Sequence, residues 1–165
     1  MDQITTLNQI IKIFEHIAQQ HYQINDFFVG KNWELQDEAN GLKMPVLQVY
    51  PSTARIQKSS NSNQFSTAEF SISLKIWDLL RKDEQNKTEI YSDTFQILQD
   101  VVTLLSTHQY FKDNFCILSN SIIEAIAESE KVAINVIGWS TVITIKVKNW
   151  GSVCTIPIEW TTDIF

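Results

Sequence analysis

The chain is poor in the residues that punctuate or crosslink a fold. Its 165 residues include four glycines, three prolines and two cysteines. Little glycine and proline excludes a loop-rich or low-complexity protein. Scattered glycines also cannot build a phosphate-cradling loop, and neither GxGxxG nor a Walker motif appears. Cys116 and Cys154 lie far apart with no metal-ligand spacing. A chain of this size closes a core without a disulfide, so both are read as reduced residues of a core or an interface. Positive charge is also in deficit. Lys and Arg number 13 against 19 Asp and Glu, a net charge of −6. That balance excludes gripping nucleic acid through the whole surface, which needs clustered bases on the protein. It remains compatible with a wall past which DNA slides. No apolar run is long enough to cross a bilayer, and the opening MDQITTLNQIIKIFEHIAQQ has no basic leader region. The expectation is a protein made and folded in a cytosol, with no membrane partner.

Chemistry-bearing motifs are equally sparse. His16 and His21 are five apart on a predicted helix, where one face needs three or four. His108 stands alone near a helix end. No HExxH, Cys-x-x-Cys or GxSxG occurs. Asp93 and Asp100 share a helix face, which reads as a solvated face. Asp78, Asp83 and Glu84 read as a charged turn that keeps the chain soluble. The expectation is no enzyme: no catalytic residues, no cofactor and no metal. Trp33, Trp77, Trp139, Trp150 and Trp160 invite a ligand-stacking idea. Tryptophan is also a favoured core and interface anchor, and that reading outweighs stacking.

What the chain does have is periodicity. A hydrophobic fraction of 44% and a charged fraction of 19% are globular values, and the length suits one domain spanning residues 1–165. Ile4, Leu7, Ile11, Phe14 and Ala18 recur at three-four spacing, widened by Ile10, Ile13 and Ile17. They predict an amphipathic helix over 4–21, capped by Asp2 and broken by Asn25 and Asp26. Phe27 to Val29 predicts a short strand ending at Gly30, and Val46 to Tyr50 predicts another. Pro51 ends that strand's regular pairing or places it at an edge. Residues 57–64, QKSSNSNQ, read as a long, mobile polar loop. The clearest strand follows, with Phe70, Ile72, Leu74 and Ile76 on a buried face and Ser71, Ser73, Lys75 and Trp77 on a wetter one. A second helix over 88–107 presents Ile90, Ile97, Val101, Leu104 and Leu105, broadened by Phe95, Leu98 and Val102. Three further β-type runs are Cys116–Ile126, Val132–Ile137 and Val142–Val147, the last two separated by Gly138 as a bulge or tight corner. An apolar arm over 150–165 closes the chain and should dock on its own domain or on a neighbour. The order predicts an α+β domain: a mainly antiparallel sheet flanked by two helices on one face.

Four segments together carry a resemblance. They are the N-terminal helix leading to Phe27-Phe28-Val29-Gly30, the strand Pro45–Pro51 with the polar loop and strand Phe70–Asp78, the helix segment Ile90–Val102, and Val136-Ile137-Gly138-Trp139-Ser140-Thr141-Val142 running on to Cys154-Thr155-Ile156-Pro157. This layout resembles the ring-forming neck and tail-terminator (tail-completion) proteins of tailed bacteriophages. The Gly-Trp strand and Cys-x-Ile-Pro ending look most like neck-ring proteins of crAss-like phages. The resemblance implies a tail-terminator-like domain without cofactor, located in the virion at the head–tail junction. Its partners would be itself, as a closed ring of six or twelve copies, adjacent portal, neck or tail proteins, and phage DNA passing through the lumen without sequence recognition. It places subunit contacts at Lys58, Ser59, Asn61 and Asn63 of the polar loop, and at Trp150, Ile156, Pro157, Trp160 and Phe165 of the arm. The alternative is a non-catalytic adaptor module that binds a protein partner.

Overall fold

The fold begins where Thr6 stops the chain from being helical one residue earlier. In the computed structural model, which describes residues 6–32, 34–35, 41–58, 65–81, 85–107, 116–117, 123–131 and 135–148, Thr6 is extended and forms a capping box. Its hydroxyl accepts from the Gln9 N–H at 3.3 Å, and the Gln9 side chain accepts from the Thr6 N–H at 3.1 Å. Helix α1 therefore spans Leu7–Gln20, with Thr6 rather than Asp2 as its cap. It ends before Asn25 and Asp26, at His21, whose N–H closes the last turn on the Ile17 carbonyl. Asn25 and Asp26 have another role. Asn25 donates through its side chain to the Met44 carbonyl at 2.6 Å, and an Asp26 carboxylate oxygen accepts from the Lys43 N–H. These bonds seat β1 (Asp26–Val29) beside β2 (Val46–Lys58), in the one parallel pairing of the described sheet.

β2 then runs antiparallel to β3 (Phe65–Leu79) from Val46 opposite Trp77 out to Lys58 opposite Phe65. It does not stop at Pro51, which pairs with Ile72, and a register shift follows at Thr53. Proline is tolerated there for a geometric reason. Val49 turns its carbonyl toward β1, where Gly30 donates to it. Two residues on, the N–H that proline lacks falls on the same side, beyond the end of β1. Pro51 thus sits on an edge, as expected. Gln57 and Lys58, read as loop, belong to the strand, and 59–64 lie outside the described residues.

Helix α2 (Lys87–Thr107) crosses back over the sheet. It buries Ile90, Ile97, Leu98, Val101 and Leu105, and also Thr94, whose hydroxyl donates to the Ile90 carbonyl. Leu104 and Phe95 are exposed, contrary to the periodicity, although Phe95 lies edge-on to Trp139 at 5.3 Å. β4 (Cys116–Ile117) and β5 (Ile126–Lys131) both pair antiparallel with β6 (Asn135–Lys148), on its outer edge. Of the predicted strand over Cys116–Ile126, Cys116–Ile117 forms β4 and Ile126 opens β5, residues 123–125 lie in neither, and 118–122 lie outside the described residues. β5 escaped the pattern because its sequence, IAESEK, is mostly polar, as an edge strand permits. Residues 135–137 and 142–147, predicted to lie in two strands on either side of Gly138, belong to the one continuous strand β6, and 132–134 lie outside the described residues.

The six strands make one sheet in the order β1-β2-β3-β6, with β4 and β5 beyond β6. Period-two alternation sends Leu47, Val49, Ile72, Leu74, Ile76, Ile143, Ile145 and Val147 to one face. There they pack with Ile10, Phe14 and Ile17 of α1 and Ile97, Val101 and Leu105 of α2. Both helices cover this one face, and the α+β, mainly antiparallel architecture is the one expected. Each such aliphatic side chain contributes roughly 1.5–3 kcal/mol on burial. The opposite face carries a smaller cluster of Phe28, Leu35, Val46, Trp77 and Val136, with Leu42 and Met44 against it. The connection after β1 therefore crosses that face.

Gly138 is explained by its register opposite Trp77. A Cβ there would overlap the Ile76 carbonyl oxygen, so only glycine lets β3 and β6 approach this closely. Gly138→Ala is expected to destabilise the fold by about 2 kcal/mol or more, measured by urea denaturation.

Candidate functional site

The face turned away from the helices holds a connected polar cluster built on Gln48. Gln48 is the one polar residue in the run Val46–Val49, and alternation places it with Lys75 and Trp77 rather than with the core. It is almost fully buried. Burying a carboxamide requires that its donors and acceptor be matched. Its Nε2 donates to the Gly30 carbonyl at 2.7 Å and to Asn32 Oδ1 at 3.3 Å, and its Oε1 accepts from Trp77 Nε1 at 2.6 Å. This corrects the reading of Trp77 as a wetter-face residue. It lies on that face but is buried, its indole N–H satisfied by Gln48.

The turn that brings Gly30 and Asn32 over the sheet is fixed locally. The Glu34 carboxylate accepts from the Lys31 N–H at 2.6 Å, and the Glu34 and Leu35 N–H groups close on the Lys31 carbonyl. Asn32 then donates to Glu130 of β5 at 2.6 Å. Lys75 pairs with Glu128 at 2.5 Å, and Ser140 donates to the other Glu128 oxygen. The network thus ties β2, β3, β5 and β6 together across the sheet. Further along, Lys146 lies 3.4 Å from the nearly buried Glu69 and donates to Gln57.

Above the cluster lies an open cleft of about 450 Å³. Tyr50, Ser73 and Val142 stand side by side on β2, β3 and β6. Ser73 makes a low floor between two taller walls. Lys31 and Asn32 border one side, with Gln48, Lys75 and Ser52 completing the lining. The Lys31 ammonium lies 5.4 Å from the centre of the Tyr50 ring, and that of Lys75 lies 5.5 Å from the Trp77 ring, within cation–π reach. The lining contains two lysines and no carboxylate. Such a surface suits recognition of a partly apolar, anionic group. Among the described residues no cluster of three His, Cys, Asp or Glu suited to a metal occurs.

Asp78, at the end of β3, is held above the usual carboxylate range. Burial is the main cause and the charge of Asp93 adds to it, while a hydrogen bond from the Leu79 N–H pulls the other way. Asp78 is therefore half-buried strand, not part of a solvating turn, and Asp93 acts on it from α2. Asp100 lies 3.6 Å from His21, linking α2 to the end of α1.

Of the interface residues expected from sequence, Lys58 is the last residue of β2. Ser59, Asn61, Asn63, Trp150, Ile156, Pro157, Trp160 and Phe165 lie outside the described residues, as do Trp33 and His108. Trp139 is a packing residue, edge-on to Tyr91 and donating to its carbonyl at 2.8 Å. The cleft residues Lys31, Tyr50, Ser73 and Val142 were not singled out. The legible signals were the lone glutamine in an apolar strand and the polar side of the β3 alternation. The chain matches no protein-family model and no curated protein.

Trp77→Phe keeps most of the buried ring but leaves Gln48 Oε1 without its donor. It is expected to cost about 1–3 kcal/mol in urea denaturation. For Asp78, folding raises the pKa, so the native state holds this proton more tightly than the unfolded chain. That contribution is complete below the ordinary value of 3.8 and is lost as pH rises through the higher folded value. Asp78→Asn keeps the acceptor for Leu79 and cannot ionise. Its melting temperature is expected to exceed that of the parent at pH ~7 and to lose this advantage at pH ~3.

Proposed function

We propose that the chain is a structural virion protein, a ring subunit at the head–tail junction of a tailed phage that surrounds the DNA path. The layout of the sequence supplies the phage assignment. The observation that carries assembly is the presence of exposed apolar side chains at both edges of the sheet. Val29 of β1 and Ile56 of β2 are 47% and 57% exposed on one side of the sheet, and Ile126 of β5 is 56% exposed on the other. A closed ring uses heterologous contacts, in which two different surfaces of one subunit meet their counterparts on two neighbours. Apolar anchors at opposite edges suit that geometry, and desolvated apolar side chains supply the binding energy of such interfaces. The net charge of −6 suits a lumen that DNA traverses without adhering.

Light scattering coupled to size exclusion, with electron-microscopy class averages, is expected to show a closed ring. A strict monomer at high concentration that does not join phage particles would exclude the ring and leave the adaptor reading. Ile126→Lys places charge on an exposed edge position, where stability changes should stay within about 0.5 kcal/mol. It is expected to weaken assembly about tenfold or more, read as the shift in dissociation midpoint on dilution.

A further inference from the structure

We infer that the cleft between Tyr50 and Val142 receives segment 150–165 of a neighbouring copy. The inference rests on the ring reading and names one of its contacts. Shape is the first argument. Ser73 lies between Tyr50 and Val142 in register, so a small floor is flanked by an aromatic ring and by an aliphatic side chain that is 58% exposed. The volume of about 450 Å³ falls within the range that seats a large side chain or small ligand. An apolar wall this open is satisfied by an apolar occupant.

Charge is the second argument. Lys31 and Lys75 line the cleft without a carboxylate beside them in the lining, although the whole chain carries −6. Glu128 engages Lys75 from outside the lining and Glu34 accepts from the Lys31 backbone N–H, whereas the Lys31 ammonium lies over the Tyr50 ring and makes no ion pair among the described residues. Segment 150–165 is complementary in both respects. It contains Glu159 and Asp163, no Lys or Arg, and the apolar residues Trp150, Ile156, Trp160 and Phe165.

Reach is the third argument. The described part of β6 runs from Val142 in the cleft to Lys148 opposite Thr67, and so ends six residues beyond the cleft. A segment of this length spans up to ~50 Å when extended, enough to reach across a subunit boundary.

The test uses the full-length chain with photoreactive benzoylphenylalanine in place of Val142. Heavy-nitrogen-labelled and unlabelled copies are mixed, and cross-links are mapped by mass spectrometry after irradiation. The expected result is cross-linking to residues 150–165 with heavy and light chains in one product. Lys31→Glu, an exposed change, should lower that yield roughly three- to tenfold without altering the melting temperature. Cross-links confined to one copy, cross-links to other segments, or none in an assembled sample would overturn the inference while leaving the ring standing. A yield that ignores Lys31→Glu would overturn the charge argument and with it this choice of occupant. Light scattering on the same sample separates these outcomes from failure of the ring itself, which a monomeric chain would show.

Discussion

Everything in this fold is arranged around the two-residue period of β3. That strand pairs with β2 on one side and β6 on the other for most of its length. Any side chain on it must therefore go up or down, and its neighbours in register go the same way. Phe70, Ile72, Leu74 and Ile76 commit one face to the helices. Ser71, Ser73, Lys75 and Trp77 commit the other to polar work. A one-residue slip would exchange the two sets and bury Lys75 under α1 and α2. Gly138 tightens the same constraint, because only at that register does a residue without Cβ meet the Ile76 carbonyl.

The polar face is stabilised by reciprocity rather than by any single strong bond. Gln48 connects Trp77 with Gly30 and Asn32, Asn32 reaches Glu130, and Glu128 joins Lys75 to Ser140. Each partner desolvates the next, and buried polar groups of this kind are costly only when one is left unmatched. The network also holds the described part of the connection between the parallel strands against the sheet. Gly30 passes closely over Phe28 and Glu34, where a Cβ would collide with both, and Gln48 then fixes its carbonyl. The cleft above shares Asn32, Gln48 and Lys75 with this network, so part of its lining is held by hydrogen bonds to the sheet.

How much of this the sequence reveals depends on what each signal encodes. The core strands and both helices were legible because burial writes a strict period into Phe70–Ile76, Ile10–Ala18 and Ile90–Leu105. The start of α1 was misplaced because Asp2 and Thr6 are both competent caps, and only the reciprocal bond with Gln9 decides between them. β5 was missed because an edge strand with Glu128 and Glu130 has no apolar alternation. Gly138 read as a break because local sequence does not report how near β3 comes. The cleft was invisible for a related reason. Tyr50, Ser73 and Val142 become neighbours through register across three strands, and no spacing along the chain announces it.

The edges bear on how subunits would meet in the proposed ring. A bare edge strand invites another strand to add to it, which leads to open-ended aggregation unless something blocks it. Beyond Val49, where β1 stops, β2 carries Pro51, a register shift at Thr53 and the charged Arg55. Those are the devices that discourage backbone pairing. The exposed apolar residues near it are side chains, Val29 and Ile56, not an open ladder. Contacts built on side chains in shaped clefts have a defined angle, whereas a strand ladder can slip by two residues at little cost. Closing a ring demands a fixed rotation between copies. In the proposed ring a cleft that takes a complementary arm would meet that demand, while the guarded edge would keep the competing mode of association out.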